Sequence, residues 1–197
     1  MHLFEIFQPT IDEGINDPGI FKAIFLAGPP GAGKNTIIQK LGLQSYGLKL
    51  QDIDHTLALL KKFNPNYQSS LDVTLRRQSL FQQQMLGLII NTTGRDSQHL
   101  MSLNKNLKEV GYDTFMLFVD VDEETALARI QNRPKFATDP RDVGRKVDLD
   151  YFYQALDASK KNSSFYALSF GDQFAYIDNT SPNSPDIAQA NKKLLAS

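Results

Sequence analysis

Cysteine is absent from this sequence, and only three histidines occur among its 197 residues. The first absence excludes disulfides, thiolate metal sites and a cysteine nucleophile. His2, His55 and His99 are too scattered to build a zinc site. Charge of one sign is also lacking: 21 basic side chains stand against 22 acidic ones, for a net charge of −1. There is therefore no global field to attract nucleic acid, and nucleic acid is not an expected partner. No uncharged apolar run approaches the roughly 18–20 residues that a membrane span needs. The opening MHLFEIFQPTIDEG carries acids in place of a basic region before an apolar core, so no secretory leader is expected. Internal repeats are missing too. An apolar fraction of 41% in a chain of this length points to one globular domain, expected in the cytoplasm.

What the sequence does contain is short apolar runs alternating with helical patterns. FKAIFLA (21–27) is continuous, aromatic and β-branched, the mark of a strand buried on both faces. GPPGAGK follows, then NTIIQKLG, helical in character and stopped by Gly42. Further strands are expected over 48–53, 86–91, 114–120 and 173–179. Helices are expected over 55–63, 71–85, 96–111, 123–132, 148–164 and from 185 onward. In the 71–85 helix, Leu71, Leu75, Leu80 and Phe81 fall on or near one face, and Met85, Met101 and Met116 read as core. This alternation implies βαβ units: an α/β fold, three-layer α/β/α, with a mostly parallel sheet of about five strands. Residues 1–20 read as an N-terminal strap, 21–180 as the domain proper, and 181–197 as a tail or helix packed on it. Residues 133–146 (RPKFATDPRDVGRK) break the pattern and read as a small lid.

The segment Gly28-Pro29-Pro30-Gly31-Ala32-Gly33-Lys34 satisfies GxxxxGK and lies between a buried strand and a helix, where a phosphate loop must lie. Glycines let the backbone curl so that successive N–H groups and the helix N-terminus hold phosphate oxygens. Lys34 is expected to reach the β and γ phosphates. The residue after the lysine is Asn35 in place of Ser or Thr, with Thr36 one step later; a hydroxyl there would bind Mg²⁺. GxPGxGKxT resembles the loop of adenylate-kinase-like enzymes, which also lack that hydroxyl.

In open α/β sheets the working residues gather at the carboxyl ends of the strands. The 48–53 strand ends in Asp52-Ile53-Asp54. Asp54 is the candidate base for an acceptor hydroxyl, with helix capping as its structural alternative; Asp52 is a candidate metal or orienting group. The 86–91 strand ends at Asn91, where P-loop proteins commonly carry a metal-ordering Asp, and Arg95 after it is a candidate contact for acceptor or phosphate. Asp120 reads as the cap of the next helix. Arg129 and Arg133, four apart on one helix face, and Arg141 are candidate lid arginines that stabilise transferring charge. The Asn-x-Ser/Thr triplets at Asn91, Asn162 and Asn179 match glycosylation acceptors without a secretory context.

The order GPPGAGKNT, a strand ending in Asp-x-Asp, Asn64-Pro65-Asn66-Tyr67, IINTTGRD and ALARIQNR resembles the zeta-toxin-type P-loop kinases, and the small kinase-like ATPases of tailed phages. The resemblance implies transfer of the γ-phosphate of ATP, with Mg²⁺, to a hydroxyl or phosphate of a small acceptor; in zeta-toxin-like enzymes that is a UDP-activated amino sugar. It places the base at Asp54, the phosphate lysine at Lys34, and the lid arginines at Arg129 and Arg133. Asn35 and Asp52 would then hold the metal. A nucleoside or nucleotide kinase, a polynucleotide 5′-hydroxyl kinase, and a nucleotide-binding switch without transfer activity remain alternatives. Whether an antitoxin-like protein inhibits the chain stays open.

Overall fold

The structure, a computed structural model, describes residues 20–60, 66–136, 147–181 and 183–195. The strap (1–19), the Asn64-Pro65 pair and most of the lid (137–146, with Arg141) lie outside the described residues.

Five strands form one fully parallel sheet: β1 (Lys22–Ala27), β2 (Lys49–Gln51), β3 (Leu88–Asn91), β4 (Asp113–Asp120) and β5 (Phe174–Asp178), in the order β2-β3-β1-β4-β5. Parallel strands need crossovers, and helices supply them: α1 (Lys34–Lys40), α2 (Ile53–Leu60), α3 (Tyr67–Gln83), α4 (Ser97–Glu109), α5 (Glu123–Phe136) and α6 (Leu149–Phe170), with α7 (Asp186–Leu195) closing the chain. Because β1 lies at the centre, its alternate side chains feed both faces. Ile24 and Leu26 join Ile37, Leu117 and Val119 on one side, while Ala23, Phe25 and Ala27 join Ile90, Phe118 and Tyr166 on the other. Each large side chain fully buried in this way contributes about 1.5–3 kcal/mol. The result is the expected three-layer α/β/α fold.

Several boundaries differ from expectation for local reasons. β2 stops at Gln51 because Asp52 turns its side chain back: Oδ1 accepts from the Asp54 and His55 amides at 2.8 and 3.3 Å and so caps α2. The cap is therefore Asp52, not Asp54. Helix α3 begins early, at Tyr67, because Asn66 and Ser69 exchange side-chain and backbone bonds in a capping box. Its inward residues are Ser70 and Thr74, both buried, whereas Leu75 and Leu80 are exposed. The apolar spacing there misleads because α3 meets α2 through hydroxyls: Thr74 Oγ1 lies 2.7 Å from Thr56 Oγ1.

Helix α5 runs on through Pro134 to Phe136, and its cap is Asp122, whose Oδ1 accepts from the Thr125 amide at 2.7 Å, not Asp120. Hydrogen bonding to Thr125 holds the Asp122 carboxyl below its usual pKa. Helix α6 continues to Phe170, since Tyr166 and Phe170 still face the core. Met116 is core and Met101 packs against it, but Met85 is exposed, at a turn where its carbonyl accepts from the Phe21 amide at 2.9 Å. Helix α7 packs on β5, where Asp186 Oδ2 accepts from the Asp178 amide at 3.0 Å and Lys193 Nζ donates to the Phe174 carbonyl at 2.6 Å.

Candidate active site

Strand β1 ends at Ala27, and the chain then wraps through residues 28–33 into α1. Gly28 takes φ +151° and passes so close to β4 that a Cβ on it would stand 2.1 Å from the Val119 carbonyl oxygen. Gly31, at φ +83°, lies against α5, where a Cβ would meet the Ala126 carbonyl oxygen at 2.6 Å. No side chain fits at either position without backbone movement, which is the physical content of the glycine pattern. Lys34 Nζ donates to the carbonyls of Gly28 (2.7 Å) and Pro29 (3.2 Å), so the ammonium lies over the entry of the loop. Pro29 is buried and Pro30 half-buried; Ala32 is fully buried; Asn35 is half-buried and Thr36 exposed on the first turn of α1.

The ends of β2 and β3 meet beside the start of α1. Asn91 Nδ2 donates to Asp52 Oδ2 at 2.6 Å and to Asn35 Oδ1 at 3.4 Å. Asp52, Asn91 and Asn35 thus come together. Asp54 sits half-buried in the first turn of α2, two residues from the Asp52 cap. Among the described residues no three His, Cys, Asp or Glu side chains gather where a metal ion could be held.

Arg129 behaves differently from a lid arginine. From α5 it donates through Nη1 to the Gly31 carbonyl (3.3 Å) and through Nη2 to the carbonyls of Asn179 (2.8 Å) and Thr180 (3.3 Å). It clamps the phosphate loop to the segment after β5. Arg133 lies one turn further along α5, and its side chain is outside what is described.

Arg95 is exposed after β3 with its guanidinium 5.0 Å from the Tyr151 ring centroid, a cation–π contact. Arg95, Asp96, Ser97 and Gln98 border an open pocket of about 430 Å³, closed on its other side by Gln154 and Ala158 of α6. The turn that carries Arg95 is bolted to α6. Asn162 Nδ2 donates to the carbonyls of Gly94 (3.1 Å) and Arg95 (2.9 Å), and the Tyr166 hydroxyl donates to Gly94 at 2.7 Å. Burial, and then the Asp96 charge, push the Tyr166 phenol up to about 12.

Asp120 does not cap a helix. Its Oδ2 accepts from the Tyr176 hydroxyl at 2.6 Å, and its Oδ1 lies 3.4 Å from Lys160 Nζ. Burial, then the bond to Asp120, raises the Tyr176 pKa.

Sequence reasoning missed Asn162 and Asn179, whose only visible signal was a glycosylation-like triplet. Asn179 is buried, and its Nδ2 donates to the Ala32 carbonyl at 2.8 Å.

The family model of zeta toxin matches residues 13–183. The chain belongs to the zeta toxin family. Similar folds occur in a chain of the crystal structure of AvrRxo1-ORF1:-ORF2 with ATP (TM-score 0.67, 14% identity, covering 80% of this chain and 54% of that one). A proposed kinase from Chloroflexus aurantiacus j-10-fl gives TM-score 0.63 at 14% identity, over 89% of this chain and 97% of that one. Deoxyadenosine kinase from M. mycoides with bound dCTP gives TM-score 0.52 at 17% identity, over 89% and 100%. This zeta toxin family chain spans about half the length of the AvrRxo1 chain it matches. No protein with curated annotation matches the sequence. Among the described residues no helix is long and apolar enough to cross a membrane.

Proposed function

We propose that this zeta toxin family protein is an ATP-dependent phosphotransferase acting on a hydroxyl of a small acceptor. The carrying observation is that one strand-loop-helix unit holds a GxxxxGK phosphate loop directly beside the oxygen cluster at the ends of β2 and β3. In this reading the amides of residues 31–36, at and before the N-terminus of α1, bind the phosphates, and Lys34 leaves the Gly28 and Pro29 carbonyls for the β and γ phosphates.

Asp54 is the base. As the acceptor oxygen attacks the γ-phosphorus, the proton of that hydroxyl passes to the Asp54 carboxylate, the bond to the β,γ-bridging oxygen breaks, and ADP leaves. Arg133 and Arg141 are proposed to meet the transferring charge from the lid. Arg129 is assigned to holding the loop, since both its terminal nitrogens already donate to backbone carbonyls of the loop and of the segment after β5. Arg95 and the pocket beside it are proposed for the acceptor; the family makes a UDP-linked amino sugar the first candidate.

A divalent cation fits this chain's residues. Among the described residues the buried Asn91 amide oxygen has no hydrogen-bond partner, and Asp52 and Asn35 supply two further oxygens around the other end of the same carboxamide. These three residues would hold Mg²⁺, which when bound supplies positive charge to the phosphates. ATP places the work in the cytoplasm. A protein partner is also proposed, on the two-component AvrRxo1-ORF1:-ORF2 neighbour.

The test is γ-labelled ATP and Mg²⁺ with nucleosides, nucleoside monophosphates, UDP-N-acetylglucosamine and a 5′-hydroxyl oligonucleotide, with Lys34→Ala as control. Label on one acceptor, lost in the variant, supports the reading and names the substrate. Label released only as phosphate, or none released despite tight binding, overturns it in favour of a nucleotide-binding switch.

A further inference from the structure

The Asn91 carboxamide is wedged between two oxygens. Its Nδ2 stands 2.6 Å from Asp52 Oδ2 and 3.4 Å from Asn35 Oδ1, while its own Oδ1 is buried and accepts no hydrogen bond from the described residues. A buried carbonyl oxygen left unpaired is destabilising. The bond to Asp52 offsets part of that cost, because it sets the positive end of the amide dipole against a carboxylate. Asp52 is held in place from the other side, where its Oδ1 caps α2 through the Asp54 and His55 amides. The NH₂ group therefore occupies the point on which the Asp52 and Asn35 oxygens converge.

A half-turn about the terminal torsion exchanges the oxygen and nitrogen of a carboxamide almost without change of shape. After it, Asn91 Oδ1 would stand where Nδ2 stands, with neighbouring oxygens at the same 2.6 and 3.4 Å. Three oxygens so close repel one another unless a cation lies among them. In an octahedral Mg²⁺ site with bonds of about 2.0–2.1 Å, adjacent ligand oxygens are about 2.9 Å apart, a spacing that the two distances bracket.

We propose that Asn91 is a two-state plug in the cation site: its NH₂ closes the site to cations, and its rotation turns the same residue into an oxygen ligand. The inference rests on the phosphotransfer reading only for the use of the cation, and it assigns to Asn91 the admission of that cation. A Ser or Thr hydroxyl and an Asp at positions 35 and 91 would leave a site that is always open. Here entry requires loss of the Asn91–Asp52 bond, and Asp52 is the single carboxylate of the three. The cation consequently binds weakly on its own and enters with a nucleotide, whose phosphate oxygens supply further ligands.

The experiment follows the side-chain NH₂ resonances of Asn91 by ¹⁵N NMR, assigned through their loss in Asn91→Asp. Four samples are compared: the full chain alone, with Mg²⁺, with a non-hydrolysable ATP analogue, and with both. The expected result is an Asn91 pair that moves and exchanges faster with solvent when Mg²⁺ is added, most completely beside the analogue, and that ignores Mg²⁺ in Asp52→Asn. Nucleotide-free Asn91→Asp should bind Mn²⁺ about tenfold more tightly than the unaltered chain, because a second carboxylate replaces the plug. An Asn91 pair that stays put at saturating Mg²⁺, with and without the analogue, overturns the proposal; so does an unchanged Mn²⁺ affinity in a folded Asn91→Asp. The amides of residues 31–34 report nucleotide binding in the same spectra. Failure of the transfer reading, with no nucleotide bound but Asn91 still moved by Mg²⁺, is therefore separable from failure of the plug.

Discussion

Asn179 donates its side-chain amide to the Ala32 carbonyl at 2.8 Å, tying the end of β5 to the middle of the phosphate loop across 147 positions of sequence. Arg129 completes the tie by binding Gly31 on one side and Asn179 on the other. A phosphate loop needs its N–H groups turned inward, and these two residues hold its carbonyls turned outward. The loop is thus shaped from behind before any phosphate arrives, and preorganised donors lose less on binding.

Replacing Arg129 by Lys should show this, because a single ammonium cannot span carbonyls on both segments. Thermal unfolding of Arg129→Lys is expected to report a loss of about 2 kcal/mol. Nucleotide affinity, read by calorimetry, should fall with it. A variant as stable as the parent chain that binds nucleotide equally well would mean that the clamp does nothing.

Lys34→Ala is expected to separate folding from binding. The lysine is half-buried and its bonds to the two loop carbonyls are only partly buried, so stability should change by about 1 kcal/mol. Phosphate affinity should drop roughly 10–100-fold, the worth of a charge-assisted hydrogen bond. Circular dichroism and nucleotide titration of the same preparation check both halves.

Much of this was legible in the sequence. The apolar run ending at Ala27 and the GxxxxGK spacing located β1, the loop and α1, because both patterns follow from local chemistry. Asp52, Asn35 and Asn91 could be named for the same reason: each stands at a strand end or one step past the lysine. The functions of Asn162 and Asn179 were illegible, since each bonds a carbonyl far away in sequence and leaves no periodic trace. Arg129 read as a lid residue because spacing places a side chain on a helix face without saying which loop lies opposite. Helix α3 was misread for a further reason. Its inner face is built from Ser70 and Thr74, and hydroxyls satisfied inside a seam look like surface in a hydropathy pattern.

That seam yields its own prediction. Thr56 and Thr74 are 1% and 5% exposed and bond each other at 2.7 Å, with Thr56 Oγ1 also 3.2 Å from the Asp52 carbonyl. Thr74→Val preserves shape but removes the donor to Thr56, whose hydroxyl keeps only the Asp52 carbonyl, for an expected loss of about 1 kcal/mol in chemical unfolding. Thr74→Ser, which restores the hydroxyl and lacks only a methyl, should recover part of it. Equal losses in the two variants would assign the cost to packing and remove the hydroxyl pair from the account.

The Tyr166 phenol gives a prediction that runs with pH. Its hydroxyl is fully buried and donates to the Gly94 carbonyl at 2.7 Å, and its pKa is pushed up to about 12 from the ordinary 10.0. Tyr166→Phe deletes that donor. Gly94 keeps the Asn162 amide at 3.1 Å, so the loss at neutral pH should be nearer 1 kcal/mol than the full cost of an orphaned carbonyl. A raised pKa means that the folded state holds the proton longer than the unfolded chain does. The contribution of Tyr166 is therefore constant below pH 10, where both states are protonated. Above pH 10 only the unfolded state ionises, and the stability gap between parent and Tyr166→Phe closes by up to about 1.4 kcal/mol per pH unit until the folded phenol also titrates. The other tyrosines are common to both proteins and cancel in the difference. Urea unfolding of the pair at pH 8, 10 and 11 reads the trend. A gap that stays level across that range would place the Tyr166 hydroxyl in contact with solvent and not beneath the turn that carries Arg95.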